Sequence, residues 1–436
     1  MNWRKVIQLA AIHVGVSITV VPITSTLNRV MIADMGFSAL LVSFFIALPY
    51  LLSPLQVVVG NWADSHPLWG RHRSPWIVIG GLLASFGGYF TVHAVYWMQA
   101  NFAAGLLFGM LVFVVWGLGV NMASVSYLSL VSELSEGHEK WRSTAVSTMW
   151  TAMILSIIVI SLTVSYLVEP FSREALVSAF GLVWAIASVL ILMGAAHVEG
   201  APTGERPRRR HRADNPLAAY QLLAQNPSAR RFFVYLVLVL ISIHAQDVLL
   251  EPFGAQALQM SVGATSRLTS IWGVGVLLTL LLGIWLIRHW GKKRCANIGA
   301  LIAAAAFLLI IVAGVGRMPT FFMSAVLLLG LGGGLMTVSN LSFMLDMTVP
   351  EAAGLYIGAW GVANFAGQAV GNLASGLLRT VVLNLTQNVM SSYITVFALE
   401  IAGLLLAVWL FQRISVEQFQ RDAELRLQEV LELANL

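Results

Sequence analysis

Three titratable side chains occupy one short stretch of an otherwise apolar run: His244, Asp247 and Glu251 in HAQDVLLEPFGAQAL, residues 244–258. The uncharged FFVYLVLVLISI leads into it. The three fall at i, i+3 and i+7, so a helix sets them on one face. Such a face can bind a proton, pair with a cation or offer an imidazole to a metal. A carboxylate held in hydrocarbon costs roughly 2.5–3.5 kcal/mol, and something must offset that cost.

The surroundings are hydrocarbon. Of 436 residues, 58% are hydrophobic and 10% charged, against about 25% charged in a soluble domain. Apolar segments recur at close to the roughly 20 residues that cross a bilayer. The fold class read from this is an all-α polytopic membrane protein with twelve transmembrane helices. The N-terminal hydrophobic stretch is too long for a cleavable signal and reads as the first span. Cys295 is the only cysteine, which rules out an internal disulfide and argues against thiolate metal sites. With both termini cytoplasmic, only Arg29, Arg173, Arg267, Arg317 and Arg379 of the 25 Lys and Arg fall on the opposite side. That asymmetry sets the orientation.

Four regions follow: a six-helix half at 1–196, a basic linker at 197–229, a second six-helix half at 230–412 and an amphipathic helix at 413–436. The arginines of the linker read as an anchor to anionic headgroups, not as a nucleic-acid site. The C-terminal helix, net negative, suits a protein partner or its own bundle. WGRHR (69–73) and WGKKR (290–294) repeat at an offset of 221, and Glu133 and Asp346 at 213. Duplicated parallel halves are the plan of the major facilitator superfamily. The loop GNWADSHPLWGRHR resembles that superfamily's cytoplasmic gating motif, which maps onto Gly60, Asp64, Gly70, Arg71 and Arg73. The resemblance implies that Asp64 caps a neighbouring helix and pairs with Arg142.

Polar residues inside the spans are the remaining candidates. Asn28, Asn121, Asp247 and Asn340 lie on spans one, four, seven and ten, which line the central cavity of facilitator proteins. Asn364, Gln368 and Asn372 form an i, i+4 stripe that reads as amide glue between helices. Arg29 is expected to pair with Asp247 or Glu251 and lock the outer side. The alternative is a local pair between Arg29 and Asp34. Pro252 should kink the helix beside Glu251. His13, His93 and His244 are each either a helix-to-helix hydrogen-bond partner or the single axial ligand of a chlorin magnesium. No spacing points to a metal cluster or to catalysis.

The QDVLLEPFG run, with TLNRVMIADMGF (26–37) and PLWGRHRSPWI (67–77), resembles the PucC/LhaA family, the bacteriochlorophyll-delivery branch of the superfamily. The resemblance implies an assembly factor of the photosynthetic inner membrane that handles (bacterio)chlorophyll, and carotenoid as a second pigment. Its partners would be membrane lipid, the pigment and light-harvesting antenna polypeptides. WGRHRSPWIVIGG also resembles sugar–cation symporters, with Asp247 or Glu251 as proton site. A pigment-free antenna scaffold is the third reading.

Overall fold

The computed structural model describes residues 2–68, 70–200, 226–348 and 353–421, apart from the side chains at 57, 61, 64, 65, 139 and 353–357. Most of the predicted linker and of the C-terminal helix lies outside these residues. Where the latter begins, Phe419 is fully buried and its carbonyl accepts from Asn226 Nδ2 at 3.4 Å, so the segment starts on its own bundle.

Span one is α1 (Trp3–Ile18) followed by two widened turns, Ile23–Leu27 and Val30–Asp34. Span two is α2 (Ala39–Leu51) and α3 (Leu55–Ser65). Spans three to six are α4 (Ser74–Ala100), α5 (Phe102–Leu134), α6 (Glu139–Leu167) and α7 (Arg173–Ala195). Span seven is α8 (Pro227–His244), a tight turn at Ala245–Val248 and α9 (Leu250–Leu258). Spans eight to twelve are α10 (Val262–Trp290), α11 (Lys292–Val315), α12 (Pro319–Asp346), α13 (Ala353–Thr386) and α14 (Val389–Gln412). Ten described segments are long and apolar enough to cross a membrane. The stretches expected as spans two and eleven are helical, as α2 with α3 and as α13, but the segments that meet the length and apolarity of a span number ten among the described residues.

Spans three and four pack through Gly80 and Gly119, where a Cβ on Gly80 would meet Ala123 N at 2.6 Å. Spans nine and ten pack through Gly299 and Gly332, where a Cβ on Gly299 would meet Met336 N at 2.8 Å. Only small residues allow backbones this close in lipid. The three positions recur at offsets of 219, 213 and 213, matching the repeat in the sequence.

The other landmarks of the repeat meet in space. Arg73 Nε donates to Glu133 Oε1 at 2.9 Å, and Lys292 Nζ donates to Asp346 at 2.7 Å. Each pair ties the start of one span to the end of the next, three to four and nine to ten. Gly70 carries φ of +70° in the tight turn that joins Leu68 to Arg71 by two backbone hydrogen bonds, which explains its place in the motif. Gly60 packs 3.5 Å from Val125 as a virtual Cβ. Arg71 is half-buried and Arg142 exposed; the Asp64 side chain lies outside the described residues.

The described hydrogen bonds between halves all lie in the part of the membrane away from the chain ends. Thr26 Oγ1 and Ser266 Oγ are 2.8 Å apart, Ser165 Oγ donates to Gly263 O at 2.7 Å, and Leu40 N to Thr380 Oγ1 at 3.2 Å. That side is closed.

Candidate functional site

Pro252 has no N–H to give to the carbonyl four residues back, Val248. The helix therefore breaks ahead of the proline, at 245–249, and restarts so that Pro252 sits in the first turn of α9, where a missing donor costs nothing. The sequence placed the kink beside Glu251; it lies one turn earlier. The freed Val248 carbonyl accepts from Asn28 Nδ2 of span one at 2.8 Å. Asn28 itself sits between the two widened turns of its span, a distortion often found at functional sites.

Asn121 plays the same part elsewhere. Around Pro54, Ser53 N turns to Tyr50 O, which leaves the Pro49 carbonyl free. Asn121 Nδ2 donates to it at 2.8 Å, and Asn121 Oδ1 accepts from Gln56 Nε2. Asn340 Oδ1 accepts from Tyr235 OH at 2.8 Å. All three asparagines are buried. They tie helices together.

At the break, His244 Nδ1 and Asp247 Oδ2 are 2.8 Å apart, and Gln246 Nε2 donates to Asp247 Oδ1 at 2.6 Å. Glu251 is buried and accepts from Thr269 Oγ1 of span eight at 3.0 Å. Neither carboxylate takes Arg29. That arginine pairs with Asp34 and also reaches Met260 O at 3.4 Å, correcting the expected link to Asp247 or Glu251. A partner five residues along the chain is already in place once the widened turn forms, whereas span seven spends Asp247 on its own histidine. Arg29 and Asp34 line a cavity of about 490 Å³ on the closed side, with Gln256, Gln259 and Met260.

The three histidines sit apart. His13 is buried between the rings of Tyr127 (5.2 Å) and Trp150 (5.9 Å), and its Nδ1 has no partner. His93 lies beside Tyr89 and Phe90, with Nε2 unpartnered. His244 corresponds through the repeat to Thr24, so His13 is about eleven residues, or roughly 16 Å, away in depth. The span-eleven stripe bonds along its own helix: Asn364 Nδ2 to Trp360 O at 3.0 Å and Gln368 Nε2 to Asn364 O at 3.4 Å. For these two residues, glue between helices is therefore corrected. Asn372 is fully buried with both amide atoms unpartnered.

Two carboxylates escaped the reading of the sequence. Glu400, in the middle of α14, is 3% exposed. A lone acid at mid-span was itself the signal that could have found it. Glu199, just after α7, accepts from the backbone N–H groups of His72, Arg73 and Ser74 at 2.9, 3.0 and 2.8 Å. Burial pushes its carboxyl up, but those amides at the positive end of α4 outweigh it and hold the group below its ordinary value.

The family described as PUCC protein matches residues 26–419. Protein PucC of Rhodobacter capsulatus is 26% identical over 421 residues, covering 93% of this chain and 90% of that one. Protein PucC of Cereibacter sphaeroides is 27% identical over 431 residues, with the same coverages of 93% and 90%. A bacteriochlorophyll synthase 44.5 kDa chain of Rhodobacter capsulatus is 25% identical over 398 residues, 87% of this chain and 89% of that one. Among solved structures, the nucleoside transporter NupG superposes with a TM-score of 0.71 at 15% identity, covering 95% of this chain and 99% of that one. The peptide transporter POT in complex with sulfate gives 0.71 at 14%, covering 95% and 96%. At such identities the likeness shows the fold alone, and that fold is of the major-facilitator type.

Proposed function

The chain belongs to the PucC family, and on that premise we propose that it is a membrane assembly factor that handles (bacterio)chlorophyll for light-harvesting antenna polypeptides. It would do so in the bacterial inner membrane with both termini cytoplasmic. Carotenoid is a second candidate cargo, and no catalysis is needed. The observation that carries the reading is the His244–Asp247 pair. A chlorin magnesium could be held by a single nitrogen ligand from the protein. With Nδ1–H donating to Asp247, the imidazole is fixed with its Nε2 lone pair free, the arrangement in which a carboxylate orients a metal-bound histidine. The metal would supply a Lewis-acidic anchor for the macrocycle; the chain orients the imidazole. His13, buried and flanked by aromatic rings, is the second candidate and His93 the third. The name of the related bacteriochlorophyll synthase chain supports the choice of pigment.

The test is protein purified in detergent from a phototrophic host, with absorbance read in the chlorin red band. His244→Ala should remove most of the pigment at unchanged protein level, and Asp247→Asn a part of it. Full pigment in His244→Ala and in the His13→Ala double variant would overturn the assignment. A proton-coupled transporter of a small solute is the second reading, favoured by the transporter fold and the intramembrane carboxylates. Proton-driven uptake into vesicles would establish it.

A further inference from the structure

Both carboxyl oxygens of Glu400 are buried and have no hydrogen-bond partner. Their position in the membrane can be read from packing. A Cβ on Gly403 would collide with Ser242 Oγ of span seven, and Glu400, at i−3, shares that face of α14. Asp247 lies eleven residues before Leu258 and Glu400 eleven after Val389, so the two lie at similar depth from the closed side. The broken segment that carries Asp247 packs against span twelve, which carries Glu400, and against span two. Span eleven also packs on the broken segment and brings Asn372, another buried side chain without a partner.

Among the described residues no cation is paired with Glu400. His244 is committed to Asp247 and Glu251 to Thr269. Arg379 on span eleven donates to Gln256 and lies over the Tyr393 ring at 4.6 Å. Tyr393 is itself about two turns from Glu400. On span nine the titratable groups are Lys292, Lys293, Arg294 and Cys295, at the end near the chain termini. An ionised carboxylate without donors does not persist in such a place; it takes a proton and becomes neutral. We propose that Glu400 is an intramembrane proton-binding site, and that its occupancy controls how span twelve packs on the broken segment of span seven. The proton comes from water and forms an O–H bond on the carboxyl. Its loss places a second anion beside Asp247, and mutual repulsion loosens the contact. The pigment reading plays no part in this, and pigment-free protein suffices for the test.

Infrared absorption of the full chain in detergent should show a protonated-carboxyl component at neutral pH that is absent from the difference between wild type and Glu251→Gln, another buried acid, and present in the difference between wild type and Glu400→Gln. Should Glu400→Gln fail to fold, Glu400→Asp should move the same band. Asp247→Asn removes the neighbouring anion, which lets Glu400 ionise more readily. The band should then titrate about one pH unit lower, a tenfold loss of proton affinity. With Cys295→Ser as background, alkylation of Ser242→Cys, corrected for thiolate fraction, should speed up as the band disappears. It should stay flat in Glu400→Gln. A neutral-pH band indifferent to position 400, or labelling that ignores Glu400→Gln, would overturn the proposal.

Discussion

The two halves fasten their membrane surface near the chain ends with the same geometry and opposite charges. In the first, the Glu199 carboxylate at the end of span six closes over three amides at the start of span three. In the second, Lys293 at the start of span nine donates to the carbonyls of Gln412 and Ile414, at 2.9 and 2.8 Å, where span twelve ends. Helices carry partial positive charge at their N-termini and negative at their C-termini. An anion from one helix or a cation from the other therefore serves the same junction. What the duplication preserved is the contact, not the residue.

The first half should depend on its tie more. Glu199→Ala leaves three amide donors without acceptors and should cost about 2 kcal/mol, read from the denaturation midpoint in detergent. Lys293→Ala should cost less, because the carbonyls it leaves are nearer water. The sign of the pH dependence follows from the lowered carboxyl. Its contribution is present above the ordinary value of 4.5 and is lost as pH falls through the folded value. The gap between wild type and Glu199→Gln should close in acid, and a constant gap would mean that the carboxylate charge does not matter.

On the closed side the expectation is a coupling of about 1 kcal/mol between Arg29→Ala and Asp34→Ala in a double-mutant cycle. Arg29→Ala with Asp247→Ala should be additive within about 0.5 kcal/mol. The reverse pattern would restore the bridge between spans one and seven. The smallest effect should come from Lys292–Asp346. Both side chains are about a third exposed, so their cycle should give under about 1 kcal/mol. The more enclosed pair, Arg73–Glu133, should exceed it.

Much of this was legible in the sequence because it is local or repeated. Twelve apolar stretches, the glycine in the 69–73 turn and the landmarks at Arg73, Glu133, Lys292 and Asp346 announce the halves and their register. Pro252 announces a break. The partner of each polar side chain was harder to read, since it depends on which helix faces which. Asn28 could not be matched to Val248 from its type, because the acceptor is a backbone carbonyl that only the proline exposes. The i, i+3 spacing of His244 and Asp247 was visible, but not that this pair would leave Arg29 to Asp34. Glu400 stood alone in an apolar run, and no second group in the chain pointed to it.

The bond from Asn28 to Val248 spans positions 220 apart, within the offsets that relate the halves. The bond therefore joins near-equivalent positions of the two halves, as contacts close to the two-fold axis of a homodimer do. In a symmetric pair of identical six-helix subunits both sides would have to carry the same side chain at this point. A single chain carries no such requirement. One half offers a donor here and the other a carbonyl that Pro252 leaves without its helical partner, so the place where the halves meet is also a place where they differ.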